Sequence, residues 1–249
     1  MHRVFQRYPK FTHSICRQLR TENNDITIIE TSDGSHSLFV RSLNETYHSR
    51  HGAMQESLWV FIKNGLASAF DFAQASTDSR ILEVGFGTGL NALLAMRWAE
   101  EHQVNVHFTT LETNVLSPEL AAQLNYASSE AERSDFLKMH ICAWNEDVAI
   151  TPHLTLHKAQ RRVQDEQAVR EYDVVFYDAF GPPTQPEMWT LAIFQCMFAA
   201  LKPGGIFVTY CAKGQARRDL QAAGFIVERL PGPPGKREML RATKPLLHG

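Results

Sequence analysis

A chain of 249 residues with 44% apolar side chains is long enough for one large core, and it holds no apolar run near the ~18–20 residues of a membrane span. Four cysteines, Cys16, Cys142, Cys196 and Cys211, lie far apart without CxxC spacing or metal-like pairing with histidine, which argues against structural disulfides and zinc. The net charge of −2 is uneven: residues 1–20 carry five basic side chains and no acidic one, and residues 200–249 carry nine basic against three acidic, a polarity that can steer a polyanion to one face.

In chain order, residues 25–40 (DITIIETSDGSHSLFV) place β-rich runs on either side of Asp33-Gly34, a hairpin signal. ESLWVFIKNGL (56–66) reads as a helix closed by Gly65. RILEVGFGTGLNALLAMRWAEEH gives a short buried strand, a glycine loop and an amphipathic helix. VNVHFTTLE is a strand, SPELAAQLNYA and SEAERSDFLKMH are helical, HLTLHKA is a strand, and YDVVFYDAF is a buried strand. MWTLAIFQCMFAALKPGG is a helix with a Lys-Pro-Gly-Gly stop, then IFVTYCA is a strand and GQARRDLQAAG a helix. FIVERL and EMLRAT, split by PGPPGKR, close the chain as a hairpin. Strands alternating with helices imply an α/β fold with a mostly parallel sheet and an antiparallel edge.

Ligands of such sheets bind beyond the carboxyl ends of the strands. EVGFGTGLN sits at one of these ends, and Gly85, Gly87 and Gly89 let the backbone approach a ligand with no Cβ in the way. The bland reading is a plain strand-to-helix turn. A dinucleotide fingerprint fails because its third small residue would be Leu90, and no phosphate-loop lysine follows. Glu112, at the end of the next strand, reads either as a ligand contact or as a solvated strand end. Asp178 ends the central strand YDVVFYDAF and points at the same cleft, against the alternative of a helix cap or surface acid. Pro182, Pro183 and Pro186 then stiffen the following loop. Trp189 can wall a pocket or simply fill the core, and Tyr47 can line the mouth or pack.

The E-x-G-x-G-x-G loop resembles that of class I S-adenosylmethionine methyltransferases. DAFGPPTQPEMW, LKPGG, VTYCAKGQARRDLQAAGF and PGPPGKREMLRA, with LNETYHSRHGAMQESLWVFIKNGL (43–66), resemble more narrowly the MnmC methyltransferase-domain family. The likeness spans roughly residues 25–243, and the D-A-F-x-P and G-K-R-E-M blocks are its most specific parts. Members usually carry a Tyr-Ser-Ala-Ala-like stretch where this chain has Tyr210-Cys211-Ala212-Lys213.

The resemblance implies a Rossmann-like class I methyltransferase fold: a mostly parallel seven-stranded sheet, an antiparallel C-terminal hairpin and a small N-terminal β extension. Residues 1–66 would form the extension at the pocket mouth and 67–249 the methyltransferase domain. It implies S-adenosyl-L-methionine as cofactor, held by Gly85, Gly87 and Gly89, with Glu83 near the mouth, Glu112 on the ribose hydroxyls and Tyr47 beside them. Neither flavin nor metal is expected, since the oxidase half that some members carry has no counterpart in this sequence. The implied reaction is methylation of the amine of 5-aminomethyluridine at the tRNA wobble position, with Asp178 orienting the amine and taking its proton.

An anticodon loop offers splayed bases and phosphates. Phe180, Pro182 and Trp189 would contact the base, and Arg217, Arg218, Lys236 and Arg237 the phosphates, although Lys236 and Arg237 can instead orient the pocket. The basic ends can alternatively serve solubility, or the first twenty residues an organelle transit peptide. Those residues lack the apolar segment of a secretory signal, so a cytoplasmic location without membrane contact is expected. Oligomeric state stays open. Two competing functions are a polyamine aminopropyltransferase-like enzyme and a catalytically silent RNA- or protein-binding module on the same fold.

Overall fold

The computed structural model describes residues 25–73 and 78–246, so the basic stretch 1–20 and Cys16 lie outside the described residues. Strands β1 (Ile26–Glu30) and β2 (His36–Val40) pair antiparallel across the expected turn, with Gly34 at φ 81°, and β3 (Glu45–Thr46) completes a three-stranded sheet. The Asp33 carboxylate accepts from the Ser35 amide at 3.0 Å and from the Gln55 amide at 2.9 Å. One side chain thus fixes the hairpin and caps the helix that follows.

That helix is a continuous rod of three pieces: α1 (Ala53–Ser57), a π-helical stretch Leu58–Ala67, and α2 (Ser68–Ala73). The expected stop at Gly65 does not occur. A Cβ there would lie 2.9 Å from Val208 Cγ2 and 3.0 Å from Phe176 Cε1, so glycine serves close contact between rod and sheet. The division anticipated between residues 66 and 67 falls inside this rod.

The main sheet has eight strands in the order β10-β11-β9-β8-β4-β5-β7-β6. Its parallel members are β4 (Asp78–Val84), β5 (Asn105–Leu111), β7 (Leu154–Ala159), β8 (Tyr172–Tyr177) and β9 (Leu201–Thr209). The C-terminal hairpin, β10 (Ile226–Pro231) with β11 (Glu238–Thr243), inserts β11 antiparallel against β9. The strand beyond the expected seven is β6 (Asp147–Thr151), antiparallel to β7 at the far edge. Its DVAIT sequence is short and mostly solvent-facing, so it lacks the apolar signal of a buried strand. The Lys-Pro-Gly-Gly stop does end its helix, but Leu201–Gly205 already belong to β9, where the register against β8 shifts.

Helices join the strands: α3 (Leu90–His102), a single turn α4 (Pro118–Ala121), α5 (Glu130–Ile141), α6 (Leu191–Ala200) and α7 (Gly214–Ala222). One sheet face, with Ile81, Phe108 and Phe176, packs on the rod, α3 and α5, while the other, with Leu82, Val175 and Tyr177, packs on α6 and α7. Alternation along β4 therefore turns Glu83 toward the same side as Ile81.

Candidate active site

Strand β4 lies between β5 and β8, so chain direction across the sheet reverses at the β4/β8 boundary, where open α/β sheets form crevices. Val84 pairs with Tyr177. The glycine loop and Asp178 therefore leave the sheet side by side, with the Asp178 amide 3.1 Å from the Val84 carbonyl. A Cβ on Gly85 would stand 3.0 Å from the Asp178 carbonyl. Beyond these ends opens a cleft of about 720 Å³ lined by the loop, Tyr47, Glu112, Asp178, Phe180 and Tyr210, among others.

Gly85, Gly87 and Gly89 hold φ of 95°, 50° and 75°, a region costly for side chains. At Gly87 a Cβ would also press to 3.1 Å from the Tyr47 ring. The loop is braced from behind by two histidines. His48 Nε2 lies 2.7 Å from the Thr88 hydroxyl, and His140 Nε2 lies 3.2 Å from the Thr88 carbonyl. Burial, aided by nearby lysines, pushes both imidazoles down to about 4, so both are neutral struts at physiological pH.

Glu112 anchors the loop from the front. Its Oε1 accepts from the Thr113 and Asn114 amides at 2.7 Å each, and its Oε2 accepts from the Gly87 amide at 3.1 Å. One lone pair of Oε2 is left toward the cleft. Burial and then the Glu112 charge push the Tyr47 hydroxyl up to about 12, so it stays a neutral wall, edge-on to Phe180 at 5.1 Å.

Glu83 does not stand at the mouth as expected. It is 1% exposed, beneath the floor, where it accepts from Thr110 Oγ1 at 2.8 Å and from Asn91 Nδ2 at 3.0 Å. Burial holds its carboxyl well above the usual range. Asp178 is half-buried, accepts from Asn91 Nδ2 at 2.8 Å, and is pushed up to about 7 by burial and by the Glu56 charge.

Residues 119–245, just over half of the chain, match the family model described as S-adenosyl-L-methionine-dependent methyltransferase. The chain belongs to that family. Among curated relatives it is 32% identical over 223 residues to the tRNA 5-methylaminomethyl-2-thiouridine biosynthesis bifunctional protein MnmC of Nitrosospira multiformis, covering 84% of this chain and 35% of that protein. It is 35% identical over 214 residues to the protein of the same name in Pseudomonas fluorescens, covering 81% and 32%. The chain thus spans about a third of the length of these relatives. Among solved structures it is similar to MNMC2 from Aquifex aeolicus, with TM-score 0.71 and 25% identity over 97% of this chain and 81% of that one. Spermidine synthase from Thermotoga maritima shares the fold, with TM-score 0.58 and 18% identity over 89% and 70%.

This methyltransferase fits its cofactor where the geometry can be checked. Two side-chain-free positions, Gly85 and Gly87, line the cleft, whereas Gly89 lies outside the lining, where a Cβ would press to 2.9 Å from His140 Nε2. Glu112 offers a carboxylate oxygen suited to a vicinal diol, and the volume lies in the ~300–1,000 Å³ range of small-molecule sites.

Other expected contacts fall elsewhere. Trp189 is 6% exposed and packs edge-on to Tyr177 at 5.2 Å, with its Nε1 donating to the Phe180 carbonyl at 2.8 Å. It therefore anchors the Asp178 loop from behind, and its neighbour Met188 lines the cleft instead. Pro182 sits half-buried in that loop without lining the cleft, and Arg217 and Arg218 lie outside the lining on α7, where Arg218 donates to Gln215 at 2.7 Å. Arg237 is exposed at the hairpin turn. Lys236 is ion-paired with Glu56 and lies 3.9 Å over the Tyr210 ring, which makes it a pocket-orienting side chain more than a free phosphate contact. Asn91 and Glu56 have no motif of their own, because each acquires its role from a partner far along the chain.

Proposed function

We propose that this chain transfers a methyl group from S-adenosyl-L-methionine to the primary amine of 5-aminomethyl(-2-thio)uridine at the wobble position of tRNA. The observation that carries the reading is Asp178, a carboxylate pushed up to about 7 beside the glycine loop in the cleft. The names of the MnmC relatives support the substrate class.

When bound, S-adenosyl-L-methionine supplies an electrophilic methyl on a cationic sulfur, to which a nitrogen lone pair can bond as the carbon–sulfur bond breaks. A primary alkylammonium, with a value near ~10, holds no free lone pair at neutral pH. Asp178 accepts a proton from that ammonium, leaving a neutral amine and a neutral carboxyl. A base titrating near the working pH suits this step. Tyr47 and Phe180 exclude water from one wall, and Tyr210, whose hydroxyl donates to the Ala179 carbonyl at 2.9 Å, holds the Asp178 loop on the other. Arg217, Arg218 and Arg237, which lie outside the cleft lining, are the phosphate contacts of this reading. Work on tRNA implies a cytoplasmic protein, and among the described residues no helix is long and apolar enough to cross a membrane.

The test is incubation with S-adenosyl-L-methionine and tRNA bearing 5-aminomethyluridine, followed by nucleoside mass spectrometry, with Asp178→Ala in parallel. One methyl gained on the wobble nucleoside, and lost in the variant, is expected. The kcat/KM profile should rise with pH through about 7, as Asp178 ionises. Cofactor binding without methyl gain overturns the tRNA reading. An aminopropylated soluble amine formed from decarboxylated cofactor would favour the aminopropyltransferase alternative, and binding of RNA without any turnover the silent module.

A further inference from the structure

In the cleft lining, one amide touches both acids, the half-buried Asp178 and the buried Glu83. Asn91, the second residue of α3, is 3% exposed, and its Nδ2 donates to Asp178 Oδ2 at 2.8 Å and to Glu83 Oε1 at 3.0 Å. Both amide hydrogens are therefore spent, one on each carboxyl. Its Oδ1 is buried without a partner, an arrangement that is normally avoided.

The lopsided use of this amide has a physical reading. Turned over, it would set Oδ1 against two carboxyl groups, and only protonated acids could satisfy it. In the observed orientation Asp178 always meets a donor, which favours its carboxylate form over its acid form. Glu83 fixes that orientation. Its Oε2 accepts from the Thr110 hydroxyl at 2.8 Å, and its Oε1 is left as the acceptor for Asn91 at 3.0 Å.

We infer that Asn91, pinned by Glu83, is a positioning residue that holds Asp178 as the proton acceptor of the reaction, by presenting it a fixed amide donor. This rests on the methyl-transfer reading for the source of the proton. That proton passes from substrate nitrogen to an Asp178 oxygen, and no bond of Asn91 or Glu83 changes.

The other groups facing Asp178 oppose one another. Glu56 from α1 favours its acid form, and Lys236 from the hairpin turn favours its carboxylate. Tyr210, following β9, is held well above its ordinary value by burial and is neutral, and burial holds the Glu83 carboxyl from β4 above its usual range. Loss of the Asn91 donor should therefore move Asp178 upward, in the direction that its hydrogen bond now resists.

The experiment is a ¹³C-carboxyl NMR titration of ligand-free protein labelled in aspartate, with the Asp178 signal assigned by its disappearance in Asp178→Asn. In Asn91→Leu the midpoint should rise by about 1 pH unit, a tenfold change in ionisation, with the acid limb of kcat/KM moving by the same amount and the circular dichroism unchanged. If Asn91→Leu does not fold, Asn91→Ser, which leaves room for a water to restore a donor, should fold with a smaller rise in the same direction. A midpoint that stays put or falls in a folded variant overturns the inference. Because the titration uses neither cofactor nor RNA, absence of methyl transfer in the unaltered protein would sink the functional reading alone.

Discussion

At Asp178 the shift that makes a useful base also makes the folded state pH-dependent. Its folded value of about 7 exceeds the ordinary 3.8, so the folded state holds the proton more tightly. Stability falls as pH rises between those values and is level above them. Asp178→Asn, which removes the buried charge, should stabilise the inactive protein by on the order of 2 kcal/mol at pH 8, after discounting for partial exposure. At pH 4 the gain should vanish, which calorimetry at the two pH values can check. His48 and His140 act in the opposite sense: their folded values of about 4 lie below the ordinary 6.5, so their contribution is lost as pH falls through that window. At this scale the sequence showed Asp178, Glu112 and the glycines, because each sits at a strand end within a recognisable run. Asn91 lies in the same glycine-loop segment, yet its meaning depends on a residue 87 positions away, and no local pattern carries that.

Among elements, the rod over the sheet separates what local rules predict from what packing decides. A glycine near the end of a helical run suggests a stop, but Gly65 lies between Phe176 and Val208 at distances that admit no methyl group. Gly65→Ala should therefore destabilise by about 2 kcal/mol, as overpacked sites do, where an exposed helix position would gain from the same change. Urea denaturation gives the sign, and a gain would mean that the rod can shift outward. The parallel strands were legible as apolar runs since they are covered on both faces. Edge strand β6 was not, because its exposed residues read as a loop, and the first residues of β9 were hidden by a Pro-Gly-Gly signal that usually marks a turn.

Across the whole molecule, the N-terminal hairpin and rod are locked to the C-terminal turn. Trp59 Nε1 donates to the Pro231 carbonyl at 2.8 Å across 172 positions, and Lys236 pairs with Glu56 across 180. Glu56 is only 5% exposed, so removing its partner strands a buried charge. Lys236→Ala should cost about 3 kcal/mol, and Lys236→Met with Glu56→Leu should recover most of it, since a buried pair is often replaceable by apolar packing. Equal losses in the single and double variants, measured by thermal unfolding, would contradict this. The sequence contained both halves of the lock as recognisable blocks, but pairing between distant blocks is a property of the folded chain.

The hairpin has a consequence for how the protein is made. Strand β11 covers the open side of β9, and it is translated after every other described strand of that sheet. Until then β9 offers a bare row of amides and carbonyls, with apolar Ile206, Phe207 and Val208 along it, which is a template for pairing with another nascent chain. Messages that stall or end before residue 238 should therefore yield insoluble product, whereas those that complete Glu238–Thr243 should close that edge within the molecule.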